Sequence, residues 1–378
     1  MDYELLRLIW WAFMAVLVVG FAVMDGFDLG VAAQLPFVAR TDTQRRVAIN
    51  SIGPVWDGNQ VWLITAGGAT FAAFPLLYAA AFSGFYFAML LVLVALILRP
   101  VGFDFRNKLS DRRWRATWDA ALFVSGAVPS VVFGVAVGNL LLGVPFHFDA
   151  DLRLYYEGGL IGLLNPFGLF CGVLSLAMLL MHGAAYLALK TEGQVATRAR
   201  WVLVAAALTA VVMFALGGVW VAWGMDGHVI TSTVDTAGPS NPTTKTVVTR
   251  AGAWLENFAR HSWMLAAPAA GFAGMVLAVL LTLRGRAGAA FMASALGVAG
   301  IIVTAGLALF PFLMPSSTHP RFGLTLWDAT SSRGTLLTMT VVTVFFLPIV
   351  AAYTSWVYRV LRGRVTPAYV EEHGSSLY

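Results

Sequence analysis

Long apolar runs alternate with short polar segments along the whole chain. The runs fall near residues 9–32, 77–98, 119–142, 161–186, 200–223, 263–283, 290–314 and 336–360. Each is long enough to cross a hydrocarbon core of about 30 Å as a helix. A further stretch, 51–75, is polar at its start (Asp57, Asn59, Gln60) and apolar afterwards. The longest polar interval, 224–262, carries the turn sequence Gly238-Pro239-Ser240-Asn241-Pro242. No short-period repeat, low-complexity tract or soluble domain interrupts the pattern.

The basic residues decide whether 51–75 crosses. If it does, Arg40, Arg45 and Arg46, the cluster Arg99 to Arg115, Lys190, Arg198 and Arg200, Arg284 and Arg286, and Arg359, Arg362 and Arg364 share one side. The other side keeps Arg7, Arg153, Lys245, Arg250, Arg260, Arg321 and Arg333, a clear minority of the 24 Lys and Arg residues. Without that crossing the 40–46 and 99–115 clusters would face opposite compartments. The positive-inside tendency therefore predicts an all-α polytopic membrane protein of about nine transmembrane helices. The N-terminus is then expected outside, the C-terminus in the cytoplasm, and 224–262 outside. Trp10, Trp11, Trp220, Trp223, Trp254 and Trp263 then sit at or near outer span ends, as interfacial aromatics do.

Composition agrees. Hydrophobic residues make up 59% of the 378 and charged residues 11%, against roughly 25% charged in soluble domains. The net charge of +5 reflects loop arginines on one side of a membrane and gives no reason to expect nucleic acid. The first run is too long, and lacks the basic n-region and cleavage site, for a cleaved signal peptide. The single cysteine, Cys171, excludes intramolecular disulfides and thiolate metal clusters.

Ionisable groups inside spans are functional candidates, because burying them is costly. The spans contain Asp25, Asp28, Asp57 and His182, with Asp119 at an edge and every Lys and Arg outside. Asp25 and Asp28 share a helix face at i, i+3, or alternatively end the first helix at the headgroups. Gly26 and Gly30 form a small-xxx-small pattern that admits a second helix closely. Asp57 lies one to two turns into the second span, with Gln60 on the same face. Either it carries protons or it makes an interhelical hydrogen bond. Asp104 and Lys108, in the segment Arg99 to Lys108, read on their own as part of a solvated basic loop. His182 has no second histidine at ligand spacing on its helix, so it reads as a hydrogen-bonded core residue and not as a haem ligand. Metal motifs, phosphate-cradling glycine loops and nucleophile triads are absent.

The block Trp56-Asp57-Gly58-Asn59-Gln60-Val61-Trp62-Leu63-Ile64, continuing through Phe71-Ala72-Ala73-Phe74-Pro75 to Ala81-Phe82-Ser83-Gly84-Phe85-Tyr86, resembles subunit II of cytochrome bd-type quinol oxidases. So do Gly26-Phe27-Asp28, Arg99-Pro100 to Lys108, Gly138-Asn139-Leu140-Leu141, Asn165-Pro166-Phe167-Gly168, Phe310-Pro311-Phe312, Met314-Pro315-Ser316-Ser317, Leu326-Trp327-Asp328-Ala329-Thr330-Ser331-Ser332 and Ser375-Ser376-Leu377-Tyr378. The resemblance covers essentially the whole chain. It implies two four-helix bundles plus one peripheral helix in the bacterial cytoplasmic (inner) membrane. The implied partners are a haem-bearing subunit I and a small single-helix accessory subunit. Haem b and haem d are then ligated mainly by subunit I, which oxidises quinol and reduces O2 to water, and a quinone can be bound in this subunit among membrane lipids. On the same basis a proton path passes Asp57, Asp104, Lys108 and Tyr378, and an oxygen route passes Trp62. Asp25 and Asp28 join that path as the acidic groups inside the first span. Val55 departs from relatives that carry histidine beside the Trp-Asp pair. The rival class is a multi-pass secondary transporter, which would have interrupted helices in matched positions of two halves. Only 56–60 is interrupted here. A third reading is an inert scaffold for the haem-bearing partner.

Overall fold

The computed structural model describes residues 1–373 and 377–378. The Ser375-Ser376 part of the closing motif lies outside the described residues. Helices are α1 (Tyr3–Val38), α2 (Asp42–Ile52), α3 (Trp56–Ala73), α4 (Pro75–Gly84), α5 (Tyr86–Arg106), α6 (Arg112–Leu142), α7 (Leu160–Leu163), α8 (Pro166–Lys190), α9 (Gly193–Trp223), α10 (Glu256–Arg260), α11 (Ala266–Leu283), α12 (Ala287–Leu309), α13 (Arg333–Val360) and α14 (Pro367–Glu372). Polar residues at the ends of the apolar runs start them. Thr41, Asp111, Asn165 and Ser332 each accept a backbone N–H in the first turn of α2, α6, α8 and α13, the usual N-cap role.

Eight of the described helices are long and apolar enough to cross a membrane: α1, α5, α6, α8, α9, α11 with its preceding turn, α12 and α13. The stretch expected at 51–75 divides into the end of α2 and the 18-residue α3, whose polar first turns keep it out of that set. At its far end the Ala73 carbonyl accepts from Ser331 N (2.8 Å). At its near end Trp56 packs on Phe103, which packs on Tyr378 (ring centroids 5.6 and 5.4 Å). Thus α3 runs from the Tyr378 end of the molecule to the Ser331 end. The run expected at 77–98 becomes α4 and α5, parted at Phe85, and α5 continues to Arg106.

That extension corrects two expectations. The segment Arg99 to Arg106 is helix, not a solvated loop, and Arg99 and Arg106 are buried (0% and 1% exposed). Arg106 meets Asp119 (2.6 Å) and Asp42 (2.9 Å), while Arg45 also meets Asp119 (2.5 Å) and Arg115 meets Asp42 (2.9 Å). Carboxylate partners on α2 and α6 let basic residues continue an apolar helix that would otherwise stop at them.

The helices form two groups of four, α1, α3, α5, α6 and α8, α9, α11, α12, with α13 laid along the outside of α1 and α3. The groups meet where α1 and α6 pack on α8. A Cβ on Gly30 would stand 2.0 Å from the Leu179 carbonyl oxygen, and one on Gly183 would stand 2.6 Å from the Gly30 carbonyl carbon. Only glycine allows this approach.

At the Arg7 end, three two-stranded antiparallel ribbons cap the bundle: β1 (Phe146–Phe148) with β2 (Leu154–Tyr156), β3 (Asp226–Ile230) with β4 (Val247–Ala251), and β5 (Phe312–Met314) with β6 (Leu324–Thr325). Arg7, fully buried, donates to the Thr236 and Gly238 carbonyls and to Thr330 Oγ1. Lys245 and Asp328 form a buried ion pair at 2.7 Å.

His228 of β3 is buried, donates Nε2–H to the Ser316 carbonyl (3.0 Å) and stacks on Trp254. Burial lowers its pKa below the ordinary 6.5, against the opposing pull of Ser316 and Asp226. As pH falls below about 6.5 the unfolded chain takes up a proton that the folded chain resists, so stability falls with acidification. The melting temperature of the purified complex is expected to drop between about pH 7 and pH 5, and less steeply for His228→Gln. Parallel curves would contradict this assignment.

Candidate functional site

Helix α1 does not stop at its aspartates, contrary to the headgroup alternative. It continues to Val38, and Asp25 and Asp28 are both fully buried. Neither is neutralised from α1 itself. Arg99, the residue directly after the apolar stretch of α5, reaches Asp25 with Nη1–Oδ1 at 2.5 Å and Nη2–Oδ2 at 3.5 Å. The expectation that no cation enters the bundle is therefore wrong, because α5 carries Arg99 in. Asp28 receives Asn59 Nδ2 of α3 (2.8 Å), and Asn59 Oδ1 in turn accepts from Tyr358 Oη of α13 (2.7 Å). Phe27, between the two aspartates, stacks on Tyr186 of α8 (4.0 Å), whose hydroxyl donates to the Ser51 carbonyl (2.9 Å).

Five helices thus converge on two carboxyls and one guanidinium. With both carboxyls ionised the group carries one negative charge; with one proton added it is neutral. In a site without solvent contact the neutral count is the inexpensive one. Among the described residues, Asp28 Oδ1 and Arg99 Nε have no hydrogen-bonding protein partner.

The other expected proton-path residues lie elsewhere. Asp57 is two residues from Asn59, hence about 200° around α3, and points away from the cluster; it is exposed, as are Asp104 on α5 and Lys108 in the turn that follows. The Trp56, Phe103 and Tyr378 rings meet beneath them, which brings residues 57, 104 and 378 to one end of the molecule. Tyr378 is docked there: its N–H donates to Asn50 Oδ1 (3.0 Å), and its main-chain oxygen accepts from Asn50 Nδ2 (2.7 Å) and Arg46 Nε (3.3 Å). Trp62 turns inward and lies against α1, where a Cβ on Gly20 would stand 2.3 Å from its ring. Sequence reading missed Arg99, Asn59 and Tyr358. The signal for Asn59 was present, since it is two residues from Asp57 in the same polar turn.

His182 is fully buried and stacked on Phe291 (4.8 Å). The Val23 carbonyl can only accept, so Nε2–H donates to it (2.9 Å), and Nδ1 accepts from Ser294 Oγ (2.8 Å). Neither nitrogen has a lone pair free for a haem iron, so this residue does not fit an axial ligand. His182→Ala is expected to leave every haem band of the assembled complex in place, at a stability cost of about 1–3 kcal/mol for the unpaired partners. Loss of a haem band in an assembled complex would reverse that reading.

A bundle of four plus four plus one helices around a buried cluster of two carboxyls and a guanidinium defines a polytopic helical membrane protein. The comparisons narrow this further: the model of the cytochrome bd terminal oxidase subunit II family matches residues 6–361, and the chain belongs to that family. Over 377 residues, 100% of both chains, it is 54% identical to the cytochrome bd-I ubiquinol oxidase subunit 2 of Escherichia coli (strain K12). It is 48% identical to a probable cytochrome oxidase subunit 2 of Haemophilus influenzae, again over 100% of both. The fold resembles a chain of the bd oxidase from Geobacillus thermodenitrificans with a TM-score of 0.67 at 17% identity, covering 94% of this chain and 98% of that one. Family membership over this length displaces the secondary-transporter alternative.

Proposed function

We propose that the chain works as subunit II of a quinol:oxygen oxidoreductase of the bacterial inner membrane, beside a haem-bearing subunit I. In this reading it supports assembly of that partner and supplies protons from the cytoplasmic side, so that oxygen reduction contributes to proton motive force. Haem b and haem d reside mainly on the partner; a quinone bound here, the small accessory helix and the oxygen route past Trp62 belong to the same reading.

The observation that carries it is the exposed carboxylate of Asp57 on an otherwise apolar face. Along α3 the neighbours on that face are Val61, Ile64 and Phe71, 52%, 67% and 62% exposed. A carboxylate facing lipid is costly, whereas one covered by a second protein subunit can border a wet path. The inner Asp25–Asp28–Asn59 group then holds the two bundles and α13 in register, and its single exchangeable proton lies behind that face.

In this reading α3, running end to end, adds a ninth crossing to the eight long apolar helices, and the positive-inside tendency then puts the N-terminus in the periplasm and Tyr378 in the cytoplasm, with the basic clusters inside. A reporter active only in the cytoplasm is expected to work when fused after Tyr378 or near Arg112, and to fail near Asn241. Activity at Asn241 would contradict this topology. The enzymatic reading is tested on the complex purified through this chain. Reduced-minus-oxidised spectra should show haem bands, and added quinol should drive oxygen uptake. A colourless preparation that consumes no oxygen would end it.

A further inference from the structure

A second group of chemically active side chains lies at the Arg7 end, far in sequence from the proton-path residues. His147 of β1, Glu157 just after β2, and His319 in the segment after β5 each offer a ligand atom, and these atoms all lie within 4.8 Å of one another. His147 Nδ1 is shielded from solvent and makes no hydrogen bond among the described residues, although Glu157 Oε1 lies 3.0 Å away. The contact is close but not aligned for an N–H to point along it. His319 Nδ1 sits 3.2 Å from Thr318 Oγ1, which leaves Nε2 for another partner.

The backbone that carries the three residues is fixed. Register pairs His147 with Tyr155, and their rings stack at 5.3 Å. Phe146 and Phe148 on either side are buried (0% and 4% exposed), so β1 cannot rotate His147 away. Glu157 N–H donates to the Pro145 carbonyl (2.9 Å). The His319 segment is tied to the same strand: Val144 N–H donates to the Pro315 carbonyl, Ser317 N–H to the Val144 carbonyl (3.0 Å each), and Ser316 Oγ to the Phe146 carbonyl. Ser316 Oγ also accepts the His319 N–H (3.2 Å). The His147 and His319 rings end 4.8 Å apart, centroid to centroid.

From these observations we infer that His147, Glu157 and His319 form a divalent metal site that takes zinc, clipping the β1–β2 ribbon to the segment following β5. Two imidazoles and one carboxylate are the donors of open zinc sites, which complete their tetrahedron with water, whereas calcium and magnesium prefer all-oxygen shells. Bond lengths of about 2.0–2.2 Å place tetrahedral ligand atoms about 3.3–3.6 Å apart. The present separations close to that range by side-chain rotation of Glu157 and His319, both exposed. The ordinary alternative is a surface His–Glu ion pair that binds nothing.

The test uses the intact complex with its haem-bearing partner, stripped with chelator, equilibrated with a slight excess of zinc chloride and desalted. Zinc per complex is measured by mass spectrometry for wild type, His147→Gln, His319→Gln and Glu157→Gln, with haem spectra and elution profiles confirming assembly. Each histidine variant is expected to lose one zinc equivalent, and the zinc X-ray absorption edge of wild type to show imidazole scattering. Glu157 is exposed, so its variant does not endanger folding; it should hold zinc at least tenfold more weakly. A wild-type complex that retains no zinc, or variants that retain as much as wild type, would overturn the assignment.

Discussion

Arg99→Leu is expected to abolish recovery of the haem-containing complex from membranes. The substitution keeps an apolar helix, so propensity and insertion are unharmed. What it removes is the partner of Asp25, a carboxylate with no solvent contact whose side-chain hydrogen bonds among the described residues come from Arg99. Breaking one side of a buried ion pair costs about 3–5 kcal/mol, a large share of the roughly 5–15 kcal/mol that typically separates folded from unfolded states. The loss is attributable to the stranded charge and not to the missing side chain, which gives a second arm. Arg99→Leu combined with Asp25→Leu should recover much of the assembled complex, because an apolar pair of similar volume replaces a buried ion pair at little cost. The yield of haem-containing complex on size exclusion reads both variants. If the single variant assembles normally, or the double variant is no better than the single, the pair is not what holds α1 to α5.

Asp57→Asn is expected to leave assembly and haem content intact and to lower quinol oxidase turnover at least tenfold, or about 1.4 kcal/mol on the barrier. The amide keeps the size and the hydrogen-bonding capacity but cannot exchange a proton. Since Asp57 is exposed on the face of α3 opposite Asn59, its replacement leaves the Asp25–Arg99 and Asp28–Asn59–Tyr358 contacts untouched. A packing role predicts the reverse, with poor assembly for Asp57→Ala and normal turnover for Asp57→Asn. Steady-state oxygen consumption per haem, measured on matched preparations, separates the two.

Most of the architecture was legible in the sequence because membrane helices announce themselves through length and apolar content. The Gly26/Gly30 pattern pointed to a close helix approach without naming the partner, and the structure shows that partner to be α8. What hydropathy could not reveal was where α5 ends. An arginine reads as the edge of a span unless its buried partner is known, and Asp25 lies far away in sequence. The same reasoning hid Arg106, whose partners sit on α2 and α6. The proton-path residues were read as one set from a resemblance. The structure separates Asp25 and Asp28, which are buried, from Asp57, Asp104 and Lys108, which are exposed, because α3 turns Asn59 towards Asp28 and Asp57 to its opposite side. His147 and His319 read only as loop histidines, and their grouping with Glu157 was not visible: ribbons and a distant loop bring the three together, and no fixed spacing encodes that.

The central proposal, that this chain delivers protons from the side bearing Tyr378, can be tested on complexes oriented in liposomes with a pH-sensitive dye on one side of the membrane. A proteolytic cut in the 224–262 loop reports which way each complex faces. During quinol-driven oxygen reduction, protons should be consumed from the side that holds Tyr378, and Asp57→Asn should slow that uptake in step with turnover. Consumption from the side of Arg7 and the 224–262 loop, or uptake at the wild-type rate in Asp57→Asn, would contradict it.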